Sequence, residues 1–387
     1  MDVSSQNGYC MRTMSPLVSA WVGRGNFGDE LLSYGLRLEL YQASTVSAVS
    51  YYEKGRDAIY RAPDDALIKS CNVSGQSRWV KLCKRYTQTY SAYDSVFFGG
   101  GSVLHSGHSI AWKHELLRRF RRGRSNTSLL SAAVGVSLGP FPDAQAERQA
   151  QAFLAELDVV HCRDAISADF ARQVGGPEVI QGRDLAFSVR ALRPELFSAA
   201  KQPERVGASF ILSPKLGEEQ QREQFAKMQA VLNDLTSKGY HVLLASLYSG
   251  DKYADDRLHK RLRESASQPD LIELHDYRGD VRATTAQIAS CSFYISMRLH
   301  GAVTAYLSGT PFFALNRHPK VREFCTSVLG EHADTCQGDL SLPAPELLER
   351  LELALQKASS QPRYELQSDS CYTHSSLALL ARLRAIA

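Results

Sequence analysis

Short apolar runs separated by helix-period segments repeat along nearly the whole chain, and this alternation predicts βαβ units with mostly parallel sheets. In the first half the runs predict strands at Leu17–Val22, Thr45–Tyr51, Ser95–Phe98, Leu129–Val136, Val159–His161 and around Val179–Ile180. The stretch Arg190 to Glu204 carries Pro194 and Pro203 and no long apolar run, so it reads as a linker. The pattern then restarts, with strands predicted at Val206–Leu212, His241–Ser246, Leu271–Leu274, Phe293–Ser296 and Phe312–Leu315 and helices such as Glu218–Lys238 between them. Residues 1–200 and 201–370 are thus expected to form two α/β domains. The amphipathic stretch Ser375 to Ile386, inside the closing segment 371–387, is a helix suited to packing back on the first domain.

Composition narrows the class. A chain of 387 residues with 44% hydrophobic content can bury a large core, and its net charge of +4 is too mild to imply a nucleic-acid partner. The eight cysteines are scattered without CxxC spacing, which argues against a zinc site or a disulfide framework and for reduced thiols in the cytoplasm. Met1 to Ser15 is polar and lacks the apolar core of a signal peptide; disorder is expected over the first dozen residues, and Met11 or Met14 is an alternative start. No run approaches the roughly 18 apolar residues of a membrane span. A soluble cytoplasmic protein without a metal is the expectation.

The candidate chemistry lies where strands end. In Phe293-Tyr294-Ile295-Ser296-Met297-Arg298-Leu299-His300-Gly301 an apolar strand runs into a fixed cation and a titratable imidazole at the start of a helix. Ligands bind at that edge of open α/β sheets, and an Arg with a His suits an anionic substrate. The plain alternative is that Arg298 pairs with a core carboxylate and His300 caps the helix. The first βα turn, Gly23-Arg24-Gly25-Asn26-Phe27-Gly28-Asp29-Glu30, satisfies GxGxxG, and Glu53 falls near a ribose-binding spacing. Asp29 and Glu30 would repel a pyrophosphate at that helix end, so the glycines are better read as a tight turn that points Asn26 and Asp29 at sugar hydroxyls, or as a turn capped by those two side chains.

Gly99-Gly100-Gly101-Ser102 reads as a turn after Ser95–Phe98 that brings backbone amides close to a ligand, or merely permits a tight crossing. Arg163, in His161-Cys162-Arg163-Asp164, is a second anion clamp or else a salt-bridge partner of Asp164 or Asp184. Lys320 follows Phe312–Leu315 and can reach the same edge as His300. The run Arg118, Arg119, Arg121, Arg122 and Arg124 is a solvated face or a rest for anionic headgroups or a diphosphate.

The ordered set GNFGDELL (25–32), GGGS (99–102), CRDAIS (162–167), SMRLHG (296–301) and a Lys twenty residues past the His resembles the polysaccharide pyruvyl transferase family. The resemblance implies two Rossmann-like domains facing each other across a cleft in a GT-B-like arrangement, with phosphoenolpyruvate as donor and a glycan, lipid-linked or not, as acceptor. It implies a ketal on two hydroxyls of one sugar, release of phosphate, and no cofactor. Arg163, Arg298, Lys320 and Gly301 would then bind the donor. Asn26, Gly28, Asp29, Gly100, Gly101 and Ser102 would face the acceptor, and His300 would act as proton donor with Arg298 and Asp29 beside it. Before the Lys, family members often carry a Tyr where this chain has Asn316-Arg317, so the donor pocket is expected to differ there. Membrane contact is expected to be at most peripheral, at the inner face, through Arg118–Arg124. Two other classes fit the same elements: a GT-B glycosyltransferase using a nucleotide sugar, and a non-catalytic glycan-binding protein.

Overall fold

The computed structural model describes residues 13–43, 45–46, 49–51, 68–70, 90, 92–122, 129–249, 254–315, 318–365 and 368–386. In the first unit, β1 (Thr13–Met14) and β3 (Thr45–Val46) pair apart from the main sheet. That sheet comprises β2 (Pro16–Ser19), β4 (Val49–Tyr51), β5 (Ile68–Ser70), β6 (Ser95–Leu104), β7 (Leu130–Leu138), β8 (Val159–Cys162) and β9 (Glu178–Gln181), in the order β5-β4-β2-β6-β7-β8-β9. The second unit comprises β10 (Gln202–Ser209), β11 (His241–Ser246), β12 (Ile272–Asp276), β13 (Cys291–Ser296), β14 (Phe312–Leu315) and β15 (Gln337–Gly338), in the order β12-β11-β10-β13-β14-β15. All pairings in both sheets are parallel. The strand order reverses beside β2 in one sheet and beside β10 in the other. Both reversals open crevices at strand carboxyl ends.

Two expectations are corrected. The triple glycine is not a turn: β6 continues through it to Leu104, with Gly100 and Gly101 at φ +69° and +80° and a register break against β7 after Gly101. The ladder persists because β7 runs buried along its full length beside it, and a side chain at residue 100 would lie 2.8 Å from Leu32. The expected linker is likewise structured. A helix at Leu185–Leu192 and a short 3₁₀ turn at Pro194–Phe197 occupy it, and Leu196 and Phe197 are buried.

That burial forms part of a core shared by the two units. Phe27, Leu31 and Tyr34 of the first helix (Phe27–Ala43) and Phe187 and Val189 of the Leu185–Leu192 helix join Leu243, Tyr294 and Val303 in one apolar cluster. Burying side chains of this size contributes roughly 1.5–3 kcal/mol each, and a large apolar interface holds domains in one orientation. Backbone bonds add register: the Phe27 amide donates to Leu247 O at 3.0 Å, and the Ser249 amide to Gly25 O at 2.9 Å. The last helix, Ser370–Ile386, places Leu379 and Leu383 against Val18, Leu36 and Leu40 of the first unit. No helix among the described residues is long and apolar enough to cross a membrane.

The interface leaves no room at residue 28, where a Cβ would sit 2.1 Å from His300 Nδ1. Gly28→Ala should therefore lower stability by about 1–3 kcal/mol and shift His300. Gly217→Ala, where a Cβ meets nothing within 4 Å, should cost less than about 1 kcal/mol. Thermal denaturation of the two variants checks the difference.

Candidate active site

Between the two crevices lies a cleft of about 900 Å³, lined from one side by Asn26, Asp29 and Ser102 and from the other by Arg298, His300 and Lys320. The sheet topology puts them there. The first βα turn leaves β2 at one reversal point, and the SMRLHG turn leaves β13 at the other.

His300 stands in the first turn of the helix Leu299–Leu307, with Nε2 3.4 Å from Asp184 Oδ2. Asp184 caps the Leu185–Leu192 helix by accepting the Ala186 amide at 3.0 Å, and it also accepts from Arg163 Nη1 at 2.8 Å. Burial would raise the Asp184 carboxyl, but the attraction of His300 and Arg163 and the amide bond hold it well below the usual carboxylate range. Asp184 therefore stays ionised beside the imidazole. It faces the His300 ring and limits the positions the ring can take.

The two arginines are both engaged. Arg163 donates through Nε to Ser137 Oγ at 2.6 Å as well as to Asp184, and its side chain is only 6% exposed. Arg298 grips Asp255 with a two-pronged fork, Nε to Oδ2 at 2.6 Å and Nη2 to Oδ1 at 2.5 Å. Asp255 is 2% exposed and also accepts the Leu247 and Tyr248 amides, so it fixes both the arginine and the loop after β11. The remaining Arg298 edge faces the cleft. Lys320 crosses from the second unit and donates to Ser102 Oγ, and no carboxylate among the described residues pairs with it. Burial and the nearby Arg163 lower its ammonium to about 8.

Asp29 is recessed at the cleft floor. Burial pushes its carboxyl up to about 6 against the opposing pull of His300, Arg163 and Arg298. Asn26 Oδ1 accepts the Gly28 amide at 3.1 Å, so the capping role is realised while the residue still lines the cleft. Gly301 packs on Ser296, Leu247 and Tyr294, and its amide is taken by Arg298 O, so it serves close packing and offers no donor to a ligand. Gly100 meets Leu32, and a Cβ at Gly101 would lie 3.2 Å from Leu32 Cδ1 and 3.5 Å from Asp29 Oδ1. Glu53 and Asn316-Arg317 lie outside the described residues. Of the basic run, Arg119 pairs with Glu115, Arg118 approaches Glu156 at 3.8 Å and Arg121 approaches Asp158 at 3.4 Å, while Arg124 lies outside the described residues. Among the described residues no group of three or more His, Cys, Asp or Glu is placed to hold a metal ion.

Asp255 carries no signal in the sequence, since its partner lies 43 residues away. Lys113, a buried lysine of the helix Gly107–Arg121 that lines the cleft, reads as an ordinary helix residue by composition.

The model of the polysaccharide pyruvyl transferase family matches residues 26–319. The chain belongs to the polysaccharide pyruvyl transferase family. The matched span contains the GGGS, CRDAIS and SMRLHG segments and all of GNFGDELL but Gly25, and it stops one residue short of Lys320. The fold is shared more widely. The UDP-GlcNAc 2-epimerase from Methanocaldococcus jannaschii is similar with a TM-score of 0.59 at 9% identity, over 96% of this chain and 99% of that one. The UDP-N-acetylglucosamine 2-epimerase from Rickettsia bellii is similar with a TM-score of 0.56 at 11% identity, over 97% and 96%. The UDP-GlcNAc 2-epimerase from Neisseria meningitidis, solved bound to UDP-GlcNAc, scores 0.57 at 10% identity over 96% and 99%. The likeness is one of architecture: two α/β domains in a GT-B-like arrangement.

Asp29 gives the site a signature in stability. Its folded pKa of about 6 lies above the ordinary aspartate value of 3.8, so the folded state binds the extra proton and loses stability as pH rises between these values. Asp29→Asn should match the wild type near pH 4 and exceed it above pH 6 by on the order of 1–3 kcal/mol. Denaturant unfolding at pH 4 and pH 8 measures this; an equal difference at both would mean that Asp29 titrates as an ordinary surface carboxylate.

Proposed function

We propose that this chain transfers the pyruvyl group of phosphoenolpyruvate to two hydroxyls of one sugar in a polysaccharide or glycan precursor, forming a pyruvyl ketal and releasing phosphate. One observation carries the reading. In a cleft of a pyruvyl transferase family member, an imidazole backed by an ionised carboxylate, a carboxyl poised near neutrality and a lysine that no carboxylate among the described residues pairs with all converge. Lys320 and the remaining edges of Arg163 and Arg298 take the donor's phosphate and carboxylate.

The chemistry follows from these positions. His300, backed by the Asp184 carboxylate, gives a proton to the methylene carbon of the donor, which becomes a methyl group and leaves the central carbon electrophilic. A sugar hydroxyl adds there and loses its proton to Asp29. A second hydroxyl of the same sugar then displaces phosphate, whose oxygen leaves with the electron pair of the broken C–O bond and takes the proton held by Asp29, while the second hydroxyl's proton restores His300. Donor and acceptor alone balance this reaction. The cleft volume is ample for a three-carbon donor together with a sugar.

His300→Gln keeps a polar side chain of similar reach but delivers no proton at neutral pH. Turnover should fall by about 100-fold or more with donor affinity little changed, whereas Lys320→Met should weaken donor affinity by about 10- to 100-fold. Phosphate release from phosphoenolpyruvate with a glycan acceptor, read together with the mass of the product, follows both. Near-normal turnover of donor-saturated His300→Gln would remove the proton transfer, and turnover only with a nucleotide sugar would replace the reaction.

A further inference from the structure

The cleft extends beyond the donor pole to a second cationic region built from the first domain alone. Trp21, in the turn after β2, is 47% exposed, and the Arg24 guanidinium carbon lies 3.6 Å from its ring centroid. Facing the same space, Lys113 Nζ lies 4.4 Å from the Trp112 ring centroid and donates to Ser109 Oγ at 2.7 Å. Lys113 is only 4% exposed, yet no carboxylate among the described residues pairs with it. The charge it feels is Arg24, a second cation; burial and that repulsion lower its ammonium to about 7.

An ammonium without a counter-charge is costly to bury. Elsewhere in this cleft the protein meets that cost with aspartates, Asp184 for Arg163 and Asp255 for Arg298. At Lys113 the described residues supply Ser109 oxygens and the Trp112 ring but no carboxylate. Ser106 and Ser109 also open the helix Gly107–Arg121, whose first turn holds no acidic residue, so its positive end adds to the field. We propose that Lys113, Ser109 and Arg24 form a second anion subsite, separate from the donor pole at Lys320, which holds the phosphate or diphosphate of a glycosyl phosphate acceptor and directs its sugar toward Asp29 and His300. Trp21 and Trp112 orient the two cations and wall the subsite with aromatic surface. The assignment of this anion to the acceptor rests on the reading of the cleft as a pyruvyl transfer site.

Calorimetric titration of inorganic pyrophosphate into the full chain, with and without saturating phosphoenolpyruvate, tests the proposal. Pyrophosphate should bind in both conditions. Lys113→Met and Arg24→Met should each weaken it by about 10-fold or more, and Lys320→Met should leave it unchanged. Arg24 lies in a loop, so its variant keeps the test valid if Lys113→Met folds poorly. Displacement of pyrophosphate by phosphoenolpyruvate, or loss of binding in Lys320→Met with retention in Lys113→Met, would assign the anion to the donor and overturn the proposal. Unchanged binding in Lys113→Met and Arg24→Met would overturn it too. Competition with pyrophosphate by a uridine diphosphate sugar marks a soluble carrier, and competition by a short-chain polyprenyl diphosphate sugar marks a lipid one; competition by neither contradicts a glycosyl phosphate acceptor. Pyrophosphate binding by a wild-type protein that does not bind phosphoenolpyruvate would sink the donor assignment while leaving this subsite in place.

Discussion

The seating of the first helix on the second domain is the contact on which the cleft depends. Gly28 meets the His300 ring with no space for a methyl group, the Phe27 amide bonds to Leu247 O, and Tyr277 donates to the buried Glu30. Burial pushes the Glu30 carboxyl up to about 7 despite the bonds it accepts from Tyr277 and from the backbone of Gly25 and Gly23. A single apolar cluster runs behind these contacts from Phe27 and Leu31 to Tyr294 and Val303. The spacing between the two crevices is therefore set by packing, and side chains from both domains are held in register before any ligand arrives.

Within that frame the charges fall into two kinds. Arg163 and Arg298 are bound to Asp184 and Asp255 and act as fixed, oriented parts of the wall. Lys320 and Lys113 pair with no carboxylate among the described residues, and burial lowers both ammonium groups. A buried cation that pairs with no carboxylate gains most from an anionic ligand, and this sets the two lysines apart from the two arginines, whose aspartate partners already fix their orientation. Asp184 joins the two sets, since it touches Arg163 of its own domain and His300 of the other.

Much of the fold was legible in the sequence because parallel strands buried on both faces read as plain apolar runs: His241–Ser246 and Phe312–Leu315 match their expected bounds. The triple glycine misled because local chemistry favours a turn there, while β7, about 30 residues further on, keeps the strand going. The linker misled because Leu196 and Phe197 look isolated in sequence and are buried only when the second domain covers them. Arg298, His300, Lys320 and Asp29 were visible because they sit beside turn glycines or strand ends. The partners that define their states, Asp255 at 43 residues from Arg298 and Ser102 at 218 residues from Lys320, follow only from the tertiary fold.

Carbon–oxygen ketal formation through protonation of the donor's methylene carbon leaves a direct trace in the product. When wild-type protein turns over phosphoenolpyruvate and a glycan acceptor in deuterated water, mass spectrometry of the product should show a pyruvyl ketal whose methyl group carries a single solvent-derived deuterium. A ketal methyl without deuterium, or a product lacking the pyruvyl mass, would contradict proton delivery to the donor in this cleft.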